Sequence, residues 1–231
     1  MKLYTHASPS HERMLNEFLL PSATEFDAVV VGRCAQQSPD QFGLPKWGRN
    51  TYQKALTMQR AVHECEEYVV WADADVMFLA PAIEAMMSYL ESYDIVFQQD
   101  SRMSCTGLWL ARCNLRVRGI FDRMVAMKSY FEQPRCDDQT AMHRLLRQTD
   151  VAAGFLPPNE FYTMGYQQGI WREWVPCEGQ LPHLPSTARV FHANWCRGVA
   201  EKELLLGQIR DQHSGASGIV NSETEVSNRT A

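Results

Sequence analysis

The chain has 231 residues, of which 45% are hydrophobic and 10% aromatic, so it can bury the core of about one ordinary domain. Its formal net charge is -5 and it contains no run of more than two basic residues, which argues against a nucleic-acid-binding surface. Its seven cysteines are odd in number and show no CxxC or CxH spacing, so reduced thiols are expected rather than a disulfide framework or a zinc site.

Short β-rich runs alternate with segments of helical period in the first third of the chain, which is typical of an α/β fold with a mostly parallel sheet. A first strand is predicted at KLYT, and Ser10 is suited to cap the helix that follows it. A second strand is predicted over residues 26–32, a helix over about 50–66, and a third strand at YVVW. Two β-α units therefore precede the third strand.

The same alternation continues beyond that strand. Pro81 suits the first turn of a helix whose apolar face includes Ile83 and Leu90. Two adjacent strands are predicted over residues 94–99 and 106–112. Further helices are predicted over about 118–131 and 138–147, and the segment ARVFHANW is expected to close the ordered part with a short strand and a loop.

The C-terminal segment differs in composition from the rest. From residue 214 onward the chain has no periodicity and few large apolar groups, so we expect a domain over residues 1–213 and a flexible tail, or a linker to further domains, over 214–231. The N-terminal segment lacks the apolar stretch of a signal peptide, and no segment approaches the roughly 18 apolar residues of a membrane span. A cytoplasmic protein is expected.

Two carboxylates, Asp73 and Asp75, stand at the end of the apolar third strand. Residues i and i+2 of a strand point to the same side, and open α/β sheets bind ligands outside the carboxyl ends of their strands. Two close negative charges need a neutralising cation, and a few oxygen ligands suit Mg²⁺ or Mn²⁺, which keep positions open for substrate phosphates. Alternatively, such a pair can simply cap the next turn.

The segment YVVWADADVMFLAP resembles the DxD segment of GT-A glycosyltransferases, particularly the nucleotide-diphospho-sugar transferase group. Further segments match that group in the expected order: DIVFQQDSRMSCTGLWLAR, CDDQTAMHRLL, LPPNEFYTMG and FHANWCRGVAEK. The resemblance spans about residues 2–202. It implies a GT-A fold, a Rossmann-like mixed and mostly parallel sheet flanked by helices, and transfer of a sugar from a nucleoside diphosphate sugar to a hydroxyl of a glycan or other acceptor.

The resemblance also implies a ligand set for the metal. A divalent ion would bridge Asp73, Asp75 and the donor diphosphate, with His192 as a further ligand, and an imidazole ligand favours Mn²⁺ over Mg²⁺. Gly198 and Lys202 form His-x5-Gly-x3-Lys, which resembles the shorter His-Gly-Lys signature of retaining galactosyltransferases and glycogenins. The glycine amide and the lysine ammonium could neutralise the leaving diphosphate.

Other residues are expected near the donor. Lys54 occupies a helix in which similar proteins often carry a basic residue beside the donor, and Thr5 and His6 end the first strand, where this fold usually receives the base and ribose. Thr106 and Gly107 would let a hydroxyl and bare backbone approach the sugar. A solvated lysine and an ordinary strand glycine are the plain structural alternatives.

The segment CDDQ contains the residues expected to act in the chemistry, Asp137, Asp138 and Gln139. Asp138 could be the base of an inverting reaction; in retaining relatives the Asp binds donor hydroxyls and the Gln lies below the ring. Both outcomes stay open, and CDDQ could also be only an acidic helix cap. Four tryptophans could stack on an acceptor sugar or belong to the core: Trp109, Trp171, Trp174 and Trp195.

Two other functions compete with this interpretation. The segment DADV also satisfies the Asp-x-Asp pattern of haloacid-dehalogenase-like phosphohydrolases, but their nucleophile normally follows the first strand. A non-catalytic nucleotide-sugar-binding module would retain the fold without turnover. We expect the transferase, with UDP as the donor nucleotide from the base rate of the fold alone.

Overall fold

The computed structural model describes residues 1–36, 47–101, 103–133, 136–167, 170–171, 181, 184–196 and 198–220. Its strands are β1 (Lys2–Ala7), β2 (Ala28–Arg33), β3 (Tyr68–Ala72), β4 (Val76–Phe78), β5 (Ile95–Asp100), β6 (Met103–Arg112), β7 (Ala153–Leu156), β8 (Phe161–Thr163), β9 (Tyr166–Gln167), β10 (Ile170–Trp171) and β11 (Val190–His192). Its α-helices are α1 (Glu12–Met14), α2 (Leu20–Ser22), α3 (Trp47–Glu64), α4 (Ile83–Leu90), α5 (Leu115–Ala126), α6 (Lys128–Phe131), α7 (Asp138–Leu146) and α8 (Val199–Val220).

Six strands form the central sheet in the order β2-β1-β3-β6-β5-β7. Only β6 runs against the others, because β1–β2, β1–β3 and β5–β7 pair in parallel while β6 is antiparallel to both β3 and β5. The expected α/β class with a mostly parallel sheet is confirmed. A second sheet, in the order β4-β11-β8, adjoins the end of β3 where β4 continues the chain.

Helices cover both faces of the sheet, so its central strands are apolar on both sides. In β3, Val69 and Trp71 belong to the core beneath α3, α5 and α7, whereas Val70 and Ala72 belong to the core on the opposite face. That second core also contains the N-terminal helical segment and α4. The continuous apolar run therefore reflects burial on two faces rather than a half-exposed strand.

Several element boundaries differ from the sequence-based prediction. The first helix is a composite of a 3-10 turn (Pro9–His11), α1, a π-helix (Leu15–Leu19) and α2. The helix predicted over 118–131 is two helices, and α5 begins earlier than predicted because the Asn114 side chain accepts a hydrogen bond from Val117 N and caps it.

The boundary expected at residue 213, between the domain and a tail or linker, stays a prediction. The chain continues as α8 to Val220, and Leu205, Leu206 and Ile209 of this helix pack into a third core. Residues 221–231 of the predicted tail lie outside the described residues. Within the described part of the chain, no helix combines the length and apolarity needed to cross a membrane.

Candidate functional site

A cavity of about 910 Å³ lies at the carboxyl ends of the parallel strands, where open α/β sheets place their ligands. Every residue that the sequence predicted for donor, metal or chemistry lines this cavity, with the exception of Thr5. Thr5 is fully buried within β1, and the described residues offer its hydroxyl no hydrogen-bond partner. The cavity thus collects side chains from β1, α3, β6, α7 and α8.

Asp73 and Asp75 reach the cavity from the tight connection between β3 and β4. Strand β3 ends at Ala72, so the two carboxylates converge through a turn, closed by a bond from Val76 N to Asp73 O, and not through strand alternation as predicted. Asp73 N continues the pairing with β6 by donating to Gly107 O. Both carboxylates contact side chains of the cavity, which is not the arrangement of a turn cap.

His192 completes a three-residue group with these carboxylates. It ends β11, which pairs antiparallel with β4 so that His192 lies opposite Val76, and Ala193 N donates to Asp75 O. One ligand atom from each of Asp73, Asp75 and His192 lies within 4.8 Å of the others. Two carboxylate oxygens and an imidazole nitrogen are a donor set that Mn²⁺ accepts well.

Lysines balance the negative charge of the pair. Lys54 of α3 lies between two carboxylates, with Nζ 2.6 Å from Asp73 Oδ2 and 2.8 Å from Asp138 Oδ2. Burial by itself lowers the pKa of Lys54, but the charges of Asp138 and Asp73 more than offset this and raise the pKa above its ordinary value. Lys54 therefore stays protonated and ties Asp73 to Asp138 at the start of α7.

Lys202 is the corresponding partner of Asp75. Its Nζ lies 2.6 Å from Asp75 Oδ2, while His192 Nε2 lies 3.3 Å from Asp75 Oδ1. Burial raises the pKa of Asp75, but Lys202 and His192 reverse that effect and hold the pKa well below its ordinary value. Burial likewise lowers the pKa of His192, and the Asp75 charge then raises it to about 10. Lys202 is thus a partly buried residue of the cavity wall, not a solvated helix lysine.

The start of α7 brings the three predicted chemical residues to the cavity wall. Asp137 caps the helix by accepting a bond from Thr140 N, and burial together with the Asp138 charge raises the pKa of Asp137. The buried Asp138 also accepts a 2.7 Å bond from the hydroxyl of Thr106. Gln139 donates from Nε2 to Asp100 Oδ2 at 2.9 Å. The segment is therefore both a helix cap and part of the cavity.

Two residues at the end of β5, Gln98 and Asp100, contact the site and were not predicted. Gln98 Oε1 lies 2.8 Å from His192 Nδ1, and Asp100 accepts bonds from both Gln139 and Trp195 Nε1. The signal that could have found them is the polar ending of an otherwise apolar strand, IVFQQD, which resembles the step from the apolar β3 to the carboxylates that follow it.

The tryptophans separate into core and cavity residues. The option that Trp109 stacks on a sugar is wrong, because it is fully buried and stacks on Trp71 with ring centroids 5.9 Å apart. Trp195, whose backbone is left-handed (φ 60°), lines the cavity. Trp47 also lines the cavity and was not predicted. Trp174 lies outside the described residues, and of Trp171 only its place in β10 is described.

His6 lines the cavity, but both of its ring nitrogens are engaged. Nδ1 lies 2.9 Å from Thr57 Oγ1 and Nε2 lies 3.2 Å from Cys34 Sγ. Burial, with a contribution from the Lys54 charge, lowers the pKa of His6 to about 4, so this imidazole is neutral at physiological pH. None of the six cysteines that the structure describes forms a disulfide, and Cys177 lies outside those residues.

Comparison with known proteins provides independent information. The family model described as nucleotide-diphospho-sugar transferase matches residues 31–206. No curated protein sequence matches the chain.

Several solved structures with a similar fold are glycosyltransferases. One is a glycosyltransferase involved in the glycosylation of the major capsid of PBCV-1, with a TM-score of 0.59, 11% identity, and coverage of 90% of this chain and 98% of that one. The galactosyltransferase LgtC, solved with donor and acceptor sugar analogues, gives 0.52 at 11% identity, covering 90% and 96%. GlyE from Streptococcus pneumoniae TIGR4 gives 0.53 at 10% identity, covering 83% and 53%. At these identities the likeness concerns the fold, and it confirms the expected GT-A architecture.

Proposed function

The chain belongs to the nucleotide-diphospho-sugar transferase family, and on this premise we propose that it is a Mn²⁺- or Mg²⁺-dependent glycosyltransferase that uses a UDP-sugar. The acceptor is a hydroxyl of a glycan or of another molecule. The observation that carries the proposal is the convergence of Asp73, Asp75 and His192 at the wall of a cavity large enough for a nucleotide sugar.

The three converging residues fit a divalent ion in number, chemistry and position. Asp75 and His192 are buried and Asp73 is half-buried, so two ligand atoms are desolvated in advance while one side of the group faces the cavity. When bound there, the ion would neutralise charge on the donor diphosphate and assist its departure. Mn²⁺ is favoured over Mg²⁺ because of the imidazole ligand.

The cations around this group suit a leaving diphosphate. Lys202 lies against Asp75 at the cavity wall, and Gly198, one turn earlier, has no side chain to restrict access to its backbone. When negative charge develops on the phosphate oxygens, the Lys202 ammonium can leave Asp75 and bind those oxygens instead. This supports the predicted role of the Gly198–Lys202 segment in holding the leaving group.

The environment of Asp138 favours sugar binding over proton removal. Its Oδ2 already accepts bonds from both Lys54 and Thr106, and a carboxylate held by an ammonium and a hydroxyl is a poor base. Gln139 commits its amide nitrogen to Asp100, which leaves the amide oxygen for the sugar. We therefore favour a binding role for Asp138 and a position beside the anomeric centre for Gln139.

The transfer itself exchanges one bond for another. The bond from the anomeric carbon to the diphosphate oxygen breaks, and the nucleoside diphosphate leaves with the electron pair. The acceptor oxygen forms the new bond to that carbon, and its proton passes to the departing diphosphate oxygen. Lys202 would meet the charge that develops on the diphosphate.

The experiment is a thermal-shift and calorimetric panel of UDP, GDP and their sugars, each with and without Mn²⁺. We expect Mn²⁺-dependent stabilisation by one nucleotide, absent in Asp75→Ala, with the variant folded as judged by circular dichroism. Unchanged nucleotide binding in Asp75→Ala would refute the site. Mass spectrometry of the bound donor for slow hydrolysis then separates an enzyme from a non-catalytic binding module.

The phosphohydrolase alternative is no longer supported. The family and the fold are those of glycosyltransferases, and Asp73 follows the third strand of the chain, not the first. Retention of the two carboxylates, His192 and the Asp138–Gln139 pair supports an enzyme over a module that only binds.

A further inference from the structure

We propose that Gln98 is a positioning residue that holds the imidazole of His192 so that Nε2, and not Nδ1, faces the metal position. The inference rests on the metal site of the proposed function. Gln98 acts through His192 and makes no contact with the reacting groups.

The orientation of the Gln98 amide is set by the backbone of β8. Gln98 is fully buried, and its Nε2 donates to Phe161 O at 3.1 Å and to Tyr162 O at 3.2 Å. Only the amide nitrogen can donate to carbonyl oxygens, so these two bonds exclude the flipped amide. The side-chain oxygen of Gln98 must then point the other way.

That oxygen meets His192. Gln98 Oε1 lies 2.8 Å from His192 Nδ1, and since a carbonyl oxygen accepts, Nδ1 has to carry the hydrogen. Nε2 is thereby left on the opposite side of the ring, 3.3 Å from Asp75 Oδ1. Cys105 Sγ also lies near Nδ1, at 3.6 Å, which is the longer and weaker contact.

Gly107 fixes the ring from beneath. A Cβ at this position would lie 2.2 Å from His192 Cε1 and 2.9 Å from Nε2, so the imidazole rests directly on the glycine backbone. Gly107 was predicted to let the sugar approach; here the missing side chain makes room for a metal ligand. The hydrogen bond from His192 Nδ1 to Gln98 and the contact of Cε1 with Gly107 together hold the imidazole ring in one orientation.

A purely structural role would not require this residue. The preceding β5 residues Ile95, Val96 and Phe97 are apolar and fully buried, and an apolar side chain at 98 would avoid the cost of burying an amide. Gln98 instead makes three hydrogen bonds. The two that its amide nitrogen donates to β8 fix the direction of its oxygen, which accepts the third from His192. Partners that orient a histidine ligand through its other nitrogen typically change metal affinity by 10- to 100-fold.

The experiment measures Mn²⁺ binding by calorimetry and by the EPR signal of free Mn²⁺, without nucleotide, together with thermal unfolding. The variants are Gln98→Met, Gln98→Glu, His192→Ala and, as matched control, Gln99→Met. Gln99 is the next residue of the strand, does not line the cavity, and donates to Ser101 O at 2.9 Å.

Affinity and stability should separate in these variants. Gln98→Met should weaken Mn²⁺ binding by about 10- to 100-fold, and Gln99→Met should not weaken it. Gln98→Glu keeps an acceptor for His192 Nδ1 but loses the donors to β8. It should therefore unfold at a lower temperature than the wild type, while its Mn²⁺ affinity should recover most of what Gln98→Met loses. A merely structural role would make affinity and stability fall together.

The outcomes identify which proposal fails. If the wild type binds no Mn²⁺, or His192→Ala binds it as tightly as the wild type, the metal site itself is refuted. If His192→Ala weakens binding and Gln98→Met does not, the proposed function stands and the role of Gln98 is refuted. Parallel loss of affinity and stability in Gln98→Glu would also overturn it.

Discussion

Substitution of Gly107 by alanine tests the geometry of the site most directly. The added Cβ would lie 2.2 Å from His192 Cε1, and ordinary contact begins at 3.4 Å, so the ring would have to retreat by about 1.2 Å. A shift of that size breaks the 2.8 Å bond to Gln98 or moves Nε2 out of range, since metal-ligand distances tolerate only about 0.2 Å.

Two magnitudes follow from this displacement. Overpacking a buried site costs typically about 1–3 kcal/mol, which should lower the free energy of unfolding of Gly107→Ala by that amount. Displacing one of three ligands should weaken Mn²⁺ binding by at least about 10-fold, or about 1.4 kcal/mol. Both quantities come from the same collision with His192.

A double-mutant cycle isolates that collision. In the His192→Ala background the added methyl of Gly107→Ala no longer meets the ring, so most of its cost in unfolding free energy should vanish. Gly119→Ala is the matched control, because a Cβ at Gly119, inside α5, has no neighbour within 4 Å. This control should be neutral or stabilising by about 0.5–1 kcal/mol and leave Mn²⁺ binding unchanged.

The assays are chemical denaturation for stability and Mn²⁺ calorimetry for affinity. Wild-type Mn²⁺ affinity in Gly107→Ala would refute the close approach of the ring. An undiminished stability cost of Gly107→Ala in the His192→Ala background would show that the collision partner is another group.

Three further predictions concern charge. Asp138→Asn should reduce turnover by a factor of 100 or more, about 3 kcal/mol, and weaken binding of the UDP-sugar, while the affinity for UDP alone, measured by calorimetry, changes little because the proposed contact is to the sugar; UDP-sugar affinity equal to that of the wild type would refute the binding role. Lys202→Met should weaken UDP binding by about 10-fold or more and leave uridine binding unchanged, since only the diphosphate loses a partner; an equal effect on both ligands would contradict this. Burial raises the pKa of Asp94, but hydrogen bonds from Ala152 N and from neighbouring side chains lower that pKa below its ordinary value in the folded state. The stabilisation that the Asp94 carboxylate contributes is therefore present above about pH 4 and is lost as the pH falls through the folded pKa. Asp94→Asn should therefore lower the unfolding free energy by about 2 kcal/mol at pH 7, and a difference that failed to shrink in acid would refute the assignment.

Local sequence patterns predicted much of the fold because local geometry produces them. The apolar run of β3 reflects burial on both faces, and Asp137 starts α7 through a bond to Thr140 three residues away. Most strands and helices could be assigned on these grounds. In α8, a helix that packs into a core near its start continues through residues 214–220, whose own helical signals are weak.

The site shows the same division. The position of Asp73 and Asp75 after an apolar strand was sufficient to suggest a cation site, and resemblance to a family supplied His192, Lys202 and the Asp138–Gln139 pair. The sequence left open whether Trp109 belongs to the core or to the cavity, and its burial in β6 places it in the core.

The order of strands is what only the tertiary structure could decide. Because β6 lies between β3 and β5, Gly107 comes to lie under His192, and the end of β5 brings Gln98 to the same ring across 94 residues of sequence. Secondary structure follows from contacts over a few residues, whose closure costs little entropy and leaves a readable periodicity. Some contacts form only after distant strands have paired, such as the bond from Gln98 to His192 and the space left by Gly107, and these leave no periodicity in the sequence. The sequence could therefore predict Asp73 and Asp75, but it could not predict the groups that orient His192.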